Sequence, residues 1–305
     1  MHSKKRVLIH CVILLILLTS QVFAVKKLGQ TGFKWLSIPV GARAAGMGSA
    51  YTSASGDLNS MFWNPAGLTN VSPYGISFSN VEWIAGINHS ALTAGYDLGQ
   101  SGVLAFQFLS VDYGDLIGTI RADNNNGYIE TGNFSPQGKI FGIGYGRRIS
   151  AKFSFGAVLK YCYEDLGTAY ISESMDDEPE KVDATLSIPA FDVGTLFFPG
   201  YKDLRLGMTL QNFSQEKSYI DESFPLPLTF KFGLSMDVLS IFKENSLSKL
   251  TLSTEMIHPR DYTEHIHLGA EYDFNNVFSF RSGYKTNYDE EDLSMGMGIR
   301  YQVGK

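Results

Sequence analysis

Histidine is the residue type in this chain that could most readily hold a metal ion. The chain has six histidines, and His265 and His267 are separated by one residue, so in a strand they would share a face. Two histidines in this arrangement can bind Zn²⁺, which normally takes four ligands. His258 is nearby in sequence, but no further ligand is evident. We therefore expect no metal site, and we expect these histidines to be ordinary polar residues of a strand.

A nucleophile with an activating base is not evident in the sequence either. There is no G-x-S-x-G motif, and no serine stands out as the partner of a histidine. Cys162 falls on the polar face of a predicted strand, between Tyr161 and Tyr163. A lone cysteine without a histidine partner is more often a small filler than a nucleophile. We predict no catalytic residue, no cofactor and no enzymatic activity.

Two predicted loops are acidic. The simplest interpretation is that both are solvated, and the alternative is a divalent-cation site that also involves lipopolysaccharide. The acidic residues are Asp176, Asp177, Glu178 and Glu180 in one loop, and Asp289, Glu290, Glu291 and Asp292 in the other.

Residues 1–24 have the pattern of a signal peptide. Basic residues at positions 4–6 precede an apolar run over 7–18, and Val22-Phe23-Ala24 offers a small-residue cleavage site. The run is too short for a comfortable membrane span, although an uncleaved anchor is the alternative. Cys11 lies inside the run rather than at the cleavage point, so we expect no lipidation. Cys162 is then the only cysteine of the mature chain, which excludes an intramolecular disulfide.

Charge and hydropathy exclude two classes of protein. The formal net charge is −6, and nucleic-acid binders usually show a basic patch or stripe, so no nucleic-acid partner is expected. Hydrophobic residues make up 44% of the chain, which is ordinary for a globular protein and argues against a bundle of transmembrane helices.

Residues 74–305 are dominated by segments of about ten residues in which apolar and polar side chains alternate. In one of them Leu159 and Tyr161 share a face, and Lys160 lies on the other. This period places one face of a strand in an apolar environment and the other in a polar one, and about ten tilted residues span a bilayer. Twelve strands can be assigned directly, at 74–83, 89–98, 102–110, 138–149, 152–163, 188–198, 203–212, 227–238, 249–257, 264–273, 277–285 and 293–303.

The apolar faces and the links distinguish a membrane barrel from a soluble sandwich, which would show the same alternation. The apolar faces often begin or end in Tyr or Phe, and short links alternate with mostly longer ones, as in outer-membrane barrels. We predict an all-β fold, a transmembrane antiparallel β-barrel of the bacterial outer membrane, in contact with its lipid or lipopolysaccharide. The link 111–137 contains a further candidate hairpin, which would raise the number of strands to fourteen.

Residues 25–73 differ from the strands because small residues dominate and alternation is absent. The glycines between 41 and 48 lack the Lys-Ser/Thr that follows a phosphate-binding loop, and no strand precedes them. We predict that this segment, the hatch, folds inside the barrel.

The run from Gly41 to Tyr51, followed by Trp63-Asn64-Pro65-Ala66-Gly67-Leu68, resembles the PorV/PorQ family. That family is similar to the FadL-type (OMPP1/FadL/TodX) transporters of hydrophobic compounds. The resemblance implies a fourteen-stranded barrel with an N-terminal hatch, in which Asn64-Pro65-Ala66 matches the hatch tripeptide. The candidate hatch or gating residues are Gly41, Arg43, Gly46, Gly48, Asn64, Pro65, Ala66 and Gly67. A purely structural role, in tight turns and a turn start, is the alternative for them.

The resemblance implies two functions. A PorV-type protein would work in type IX secretion, with secretion-system proteins or the C-terminal domains of cargo as partners, and this is the role that we expect first. A FadL-type protein would instead pass fatty acids or other hydrophobic small molecules, which requires a pocket that reaches from the exterior to the hatch.

Overall fold

The computed structural model of the protein describes residues 31–71, 73–171, 180–219, 222–242, 247–288 and 292–301. The predicted signal peptide lies outside these residues. So do the acidic loop residues, apart from Glu180 and Asp292. No helix within the described ranges is long and apolar enough to cross a membrane.

Twelve strands form one antiparallel sheet in which neighbours in the chain are neighbours in space, and two separate pairs of short strands flank it. The twelve strands are the twelve that the sequence predicts, so the fold class is confirmed. The strands are β1 Tyr74–Glu82, β2 Asn88–Asp97, β3 Val103–Asp112, β4 Leu116–Arg121, β5 Tyr128–Phe134, β6 Gln137–Ser150, β7 Phe153–Ile171, β8 Glu180–Phe197, β9 Arg205–Ser214, β10 Lys217–Ser218, β11 Ser223–Phe224, β12 Thr229–Asp237, β13 Lys249–Pro259, β14 His265–Phe274, β15 Phe278–Lys285 and β16 Leu293–Ile299.

The candidate hairpin in the link 111–137 exists, but it does not add strands to the main sheet. Its strands β4 and β5 pair only with each other, and most of their residues are exposed. They have six and seven residues, fewer than the nine to eleven or so that a tilted strand needs to span a bilayer. Fourteen strands, the number that the resemblance implies, are therefore not found in the main sheet of the described residues.

The links confirm the predicted alternation of short and long connections. Residues 151–152 and 275–277 form tight turns at one end of the sheet, and the long links 113–136 and 215–228 lie at the other. The link between β12 and β13 is longer than the tight turns at the same end of the sheet, and it contains a short helix, Leu239–Phe242. In the barrel layout the short turns face the periplasm and the long loops face the exterior.

The outer face of the sheet is apolar, and the inner face carries polar side chains on many strands and mainly apolar ones on β3. On β7, Leu159 and Tyr161 point outward and are 52% and 50% exposed, while Lys160 points inward and is 6% exposed. A soluble protein buries its apolar side chains, so this inverted arrangement fits a barrel whose outer surface contacts lipid. The inward polar side chains that are at most 2% exposed include Thr93, Gln107, Asp192, Glu255, His267 and Glu271.

Ile143, in the middle of β6, tests this arrangement because it points outward and is 59% exposed. We expect Ile143→Arg to lower the free energy of unfolding from a bilayer by about 2–4 kcal/mol, the cost of a cation at the membrane midplane. Ile149 is similarly exposed but lies beside the turn after β6, so Ile149→Arg should cost at most about 1 kcal/mol. Equal costs for the two variants, measured by denaturant unfolding in lipid vesicles, would contradict the membrane depth assigned to β6.

The hatch lies inside the curved sheet and contacts strands all around it. Its helix α1, Ala42–Gly46, packs on β15 and β16, and the 3₁₀ helix Leu58–Phe62 packs on β1 to β3. The 3₁₀ helix Pro65–Asn70 packs on β6, β7 and β8. The remaining short 3₁₀ helices are Lys34–Ser37 in the hatch, Ile84–Gly86 and Gly99–Ser101.

Helix α1 connects the first and last strands of the sheet. Among the described residues β1 and β16 form no ladder with each other. The Gly41 N–H donates to Ser79 Oγ on β1 at 3.2 Å, and Ser294 Oγ on β16 donates to the Gly46 carbonyl at 3.4 Å. The described part of the last strand, β16, ends at Ile299 and pairs with β15.

Candidate functional site

The predicted hatch residues contact the inner face of the sheet, and Arg43 is joined to it by charge-assisted hydrogen bonds. The Arg43 guanidinium donates to both carboxylate oxygens of Glu271, with Nε at 2.9 and 3.1 Å and Nη2 at 2.5 Å. Arg281 Nε donates to the same carboxylate at 2.7 Å. Glu271 is 1% exposed, so this charge-assisted pair lies largely out of water. It joins α1 to β14 and β15.

The second partner of Arg43 is Asp57, at 3.8 Å within the hatch. Burial lowers the pKa of Arg43, whereas the carboxylates of Glu271 and Asp57 raise it, and the guanidinium stays charged. Burial also raises the pKa of Tyr51 well above its usual value. The Tyr51 hydroxyl therefore remains protonated and donates to Asp57 at 2.5 Å.

The predicted glycines allow the hatch backbone to approach the sheet closely. Gly41 and Gly48 have positive φ angles of 92° and 61°, which side chains with a Cβ rarely adopt. A Cβ on Gly46 would lie 3.1 Å from Gly296 Cα, and one on Gly48 would lie 2.9 Å from Tyr284 N. The positive φ angles and the close contacts fit a structural role for these glycines in turns and packing. A gating role for them remains a proposal.

Asn64 and its neighbours form the start of a short helix and its contact with the barrel wall. Asn64 is fully buried, and its Oδ1 accepts the Ala66 N–H at 3.1 Å, which caps the 3₁₀ helix Pro65–Asn70. Its Nδ2 donates to the carbonyls of Thr52 at 2.7 Å and Thr195 at 3.0 Å. Pro65 occupies the first helical position, where its missing N–H costs nothing. Gly67 N donates to the Asn64 carbonyl at 2.9 Å.

Because both polar atoms of the Asn64 amide form buried hydrogen bonds, we expect the double variant Asn64→Ala, Pro65→Ala to destabilise the folded hatch. Loss of the cap and two buried carbonyls left without donors should cost about 2–4 kcal/mol. Asn70→Ala is the matched control, because Asn70 is exposed and should cost less than about 1 kcal/mol. Normal stability of the double variant together with lost transport or secretion would instead support the gating role.

Glycines of the barrel wall pack against the hatch, and they were not among the site residues predicted from the sequence. They lie on the inner face, several directly opposite each other in register: Gly146 with Gly156, Gly156 with Gly194, Gly207 with Gly233, and Gly269 with Gly283. Their missing side chains leave room for the hatch backbone. The closest hatch residues are Pro65 at Gly156, Asn64 at Gly194, Thr52 at Gly207, Met47 at Gly269 and Gly48 at Gly283. The recurrence of glycine at inward-facing positions of several strands is the sequence feature that could have identified these contacts.

A cavity of about 540 Å³ lies between the hatch and the loop end of the barrel, within the range of about 300–1,000 Å³ usual for small-molecule sites. Its hatch side includes Ile38, Val40 and Trp63, and its loop side includes Tyr262 and Tyr288. The wall from β3 and β6 contributes Leu109 and Ile140. The polar residues of the lining are Lys34, Ser37, Ser49, Gln107, Lys160, Asp192, Gln211, Asn212, Thr229, Lys231, Asp261, Thr263, His265, His267, Lys285 and Asn287.

The three histidines of the sequence analysis are only partly brought together. His265 and His267 point inward and are buried, whereas His258 points outward and pairs with exposed Glu264 at 3.1 Å. Within the described residues no group of three or more His, Cys, Asp or Glu side chains is placed to hold a metal ion. Cys162 points inward, fully buried in an apolar cluster that includes Trp35, as expected for a small filler.

Two solved structures have a similar fold. The toluene transporter TbuX of Ralstonia pickettii matches with a TM-score of 0.54 and 14% identity, over 87% of this chain and 90% of TbuX. The toluene transporter TodX of Pseudomonas putida matches with a TM-score of 0.54 and 12% identity, over 91% of each chain. No protein-family model matches the chain, and neither does any curated protein by sequence.

At such low identity these similarities show the fold alone. They agree with the expected relation to the FadL-type barrels, the class whose name includes TodX, and they give no support to the narrower PorV/PorQ assignment. The chain therefore has a fold similar to that of these two solved structures: a β-barrel, here with residues of the predicted hatch inside it.

Proposed function

We propose that the protein is a channel of the bacterial outer membrane that passes hydrophobic small molecules. The observation that supports this most is the cavity, which is bounded by the hatch on one side and by loop residues on the other. Leu109 and Ile140 of the wall line this cavity together with apolar residues of the hatch such as Val40. The two solved structures described above are transporters of toluene, a hydrophobic compound.

The proposal includes the division of the chain and its location. Residues 1–24 would be a removed signal peptide, 25–73 the hatch and 74–305 the barrel. The hatch would block free diffusion, and the candidate residues from Gly41 to Gly67 would hold it in place or release it.

Type IX secretion, the function that we expected first, is the second candidate and has only the sequence resemblance in its favour. If the protein has this function, exported proteins that carry a shared C-terminal domain should co-purify with it. Because the similar solved structures are transporters, we place transport first.

Binding to the cavity tests the transport proposal. Thr263 lines the loop side of the cavity, so Thr263→Trp should narrow that side. Thr254 points outward from β13 and is exposed, so Thr254→Trp adds the same bulk to the lipid-facing surface. With both proteins in lipid nanodiscs, we expect Thr263→Trp to weaken binding of the fluorescent probe N-phenylnaphthylamine at least tenfold and Thr254→Trp to leave it unchanged. Absence of saturable binding to the unaltered protein would contradict the proposal.

A further inference from the structure

The loop end of the barrel is filled on one side by an apolar cluster of buried and partly buried side chains. The cluster joins the start of the hatch to two of the links, through Phe33, Trp35, Tyr113, Phe224 and Leu226. Because protein cores are close-packed, this side of the loop end gives a ligand no path to the cavity.

The cavity reaches the surface on the other side of the loop end, at the links that follow β13 and β15. Most of the described loop residues in its lining belong to these two links, namely Asp261, Tyr262, Thr263, Asn287 and Tyr288. Tyr262 and Asn287 are also exposed to solvent, and Thr263 and Tyr288 are partly buried. Residues that line a cavity and are exposed at the same time mark an opening, so the cavity communicates with the exterior here.

The chain that follows β15 is fixed to β14 as far as Thr286. The Thr286 N–H donates to the Ile266 carbonyl at 2.9 Å, and the Ile266 N–H donates to Thr286 Oγ1 at 3.0 Å. Asn287 then has a φ of 63°, in the left-handed region that asparagine adopts more readily than most residues. Its Nδ2 donates to the Glu264 carbonyl at 2.8 Å. The chain therefore turns at Asn287, and Tyr288 comes to line the cavity.

Tyr288 lies at this opening and rests on two side chains of β14. Its ring stacks on that of His265, with the ring centres 4.2 Å apart and 23° between the planes. Its hydroxyl lies 3.0 Å from His267 Nε2. A ring stack together with one hydrogen bond favours a side-chain position by a factor of about ten to a hundred. Contacts of this strength hold a side chain in place and still let it leave as a ligand passes.

We propose that ligands enter the cavity between the link after β13 and residues 286–288, and that the Tyr288 side chain is the lid of this entrance. The inference rests on the proposed function and adds the route by which its ligands enter. With the ring on His265 the route is closed, and with the ring rotated away Tyr262 and Thr263 form its rim. Such a lid changes the rates of entry and exit by the same factor, so it leaves the affinity unchanged.

The test measures how fast N-phenylnaphthylamine binds to and leaves the protein in lipid nanodiscs, by stopped-flow fluorescence with the signal of empty nanodiscs subtracted. We expect Tyr288→Cys to raise both rate constants about tenfold and to leave the affinity within about twofold. Tyr288→Phe keeps the stack and loses the hydroxyl, so it should raise both rates less. Reaction of the thiol of Tyr288→Cys with a maleimide-linked polyethylene glycol should then slow both rates below those of the unaltered protein. Cys162 is fully buried and should not react.

Tyr128→Cys is the matched control, because Tyr128 is exposed on the separate hairpin of β4 and β5 and lies outside the lining of the cavity. Neither this substitution nor its modification should change either rate. Unchanged rates in Tyr288→Cys, before and after modification, would overturn the inference. Weaker binding through faster dissociation alone would also overturn it, because Tyr288 would then be a wall of the cavity and not a lid.

The comparison of modified with unmodified Tyr288→Cys uses one folded sample, so it does not depend on the effect of the substitution on stability. If the probe binds saturably but the rates do not respond, the inference fails and the transport proposal stands. If the unaltered protein shows no saturable binding, both fail.

Discussion

Glu271→Gln is expected to destabilise the protein by about 3–5 kcal/mol and to release the hatch from β14 and β15. The carboxylate of Glu271 is 1% exposed and accepts from both Arg43 and Arg281. Removal of one partner from a buried ion pair costs this much because the remaining charge is left without compensation. Here two guanidinium groups lose the same partner, and Arg281 is itself only 9% exposed.

Two measurements would show this effect. The free energy of unfolding in lipid vesicles should fall, and trypsin should cleave after Arg43 faster, because a released α1 exposes that bond. Glu264→Gln is the control, since the Glu264–His258 pair is 57% and 60% exposed and exposed pairs contribute at most about 1 kcal/mol. Unchanged stability and unchanged cleavage in Glu271→Gln would show that the ion pairs do not hold the hatch.

Gly283→Ala is expected to cost about 3 kcal/mol, the upper part of the range for overpacking. A Cβ at Gly283 would lie 1.9 Å from Gly48 N and 2.3 Å from the Met47 carbonyl carbon. Both atoms belong to the hatch backbone, so no side chain can rotate away, and the hatch or the strand must shift.

Gly233→Ala is the matched control for Gly283→Ala. It also faces the hatch, but a Cβ there would lie 3.3 Å from its nearest neighbours, Ser53 N and Thr52 Cβ. This contact is tight but tolerable, so we expect a cost below about 1 kcal/mol. The comparison uses the midpoint of denaturant unfolding and the yield of folded barrel. Equal effects of the two variants would contradict close packing of the hatch against the glycines of the wall.

The strands could be predicted from the sequence because alternation is a local property. Each segment shows its own inward and outward faces, and the structure buries Lys160 and exposes Leu159 as the pattern requires. Arg43 and Asn64 could be identified as candidates because they lie in the run of residues that resembles the hatch of a known family.

The partners of the hatch could not be predicted, because they depend on register between distant parts of the chain. Glu271 lies 228 residues from Arg43, and nothing near either residue indicates the pairing. The apposition of Gly283 with Gly48 has the same origin. His258 joined His265 and His267 in our hypothesis because it is near in sequence, but it points outward from β13 while the other two point inward from β14.

The uptake of a hydrophobic compound by intact cells tests the transport proposal most directly. Cells that carry the unaltered protein should take up labelled dodecanoate or toluene faster than cells without it. Thr263→Trp should reduce this difference at least tenfold, and Thr254→Trp, made in equal amount, should preserve it. If uptake of both compounds is the same with and without the protein, while secretion of exported proteins depends on it, the account of this chain as a channel for hydrophobic molecules is contradicted.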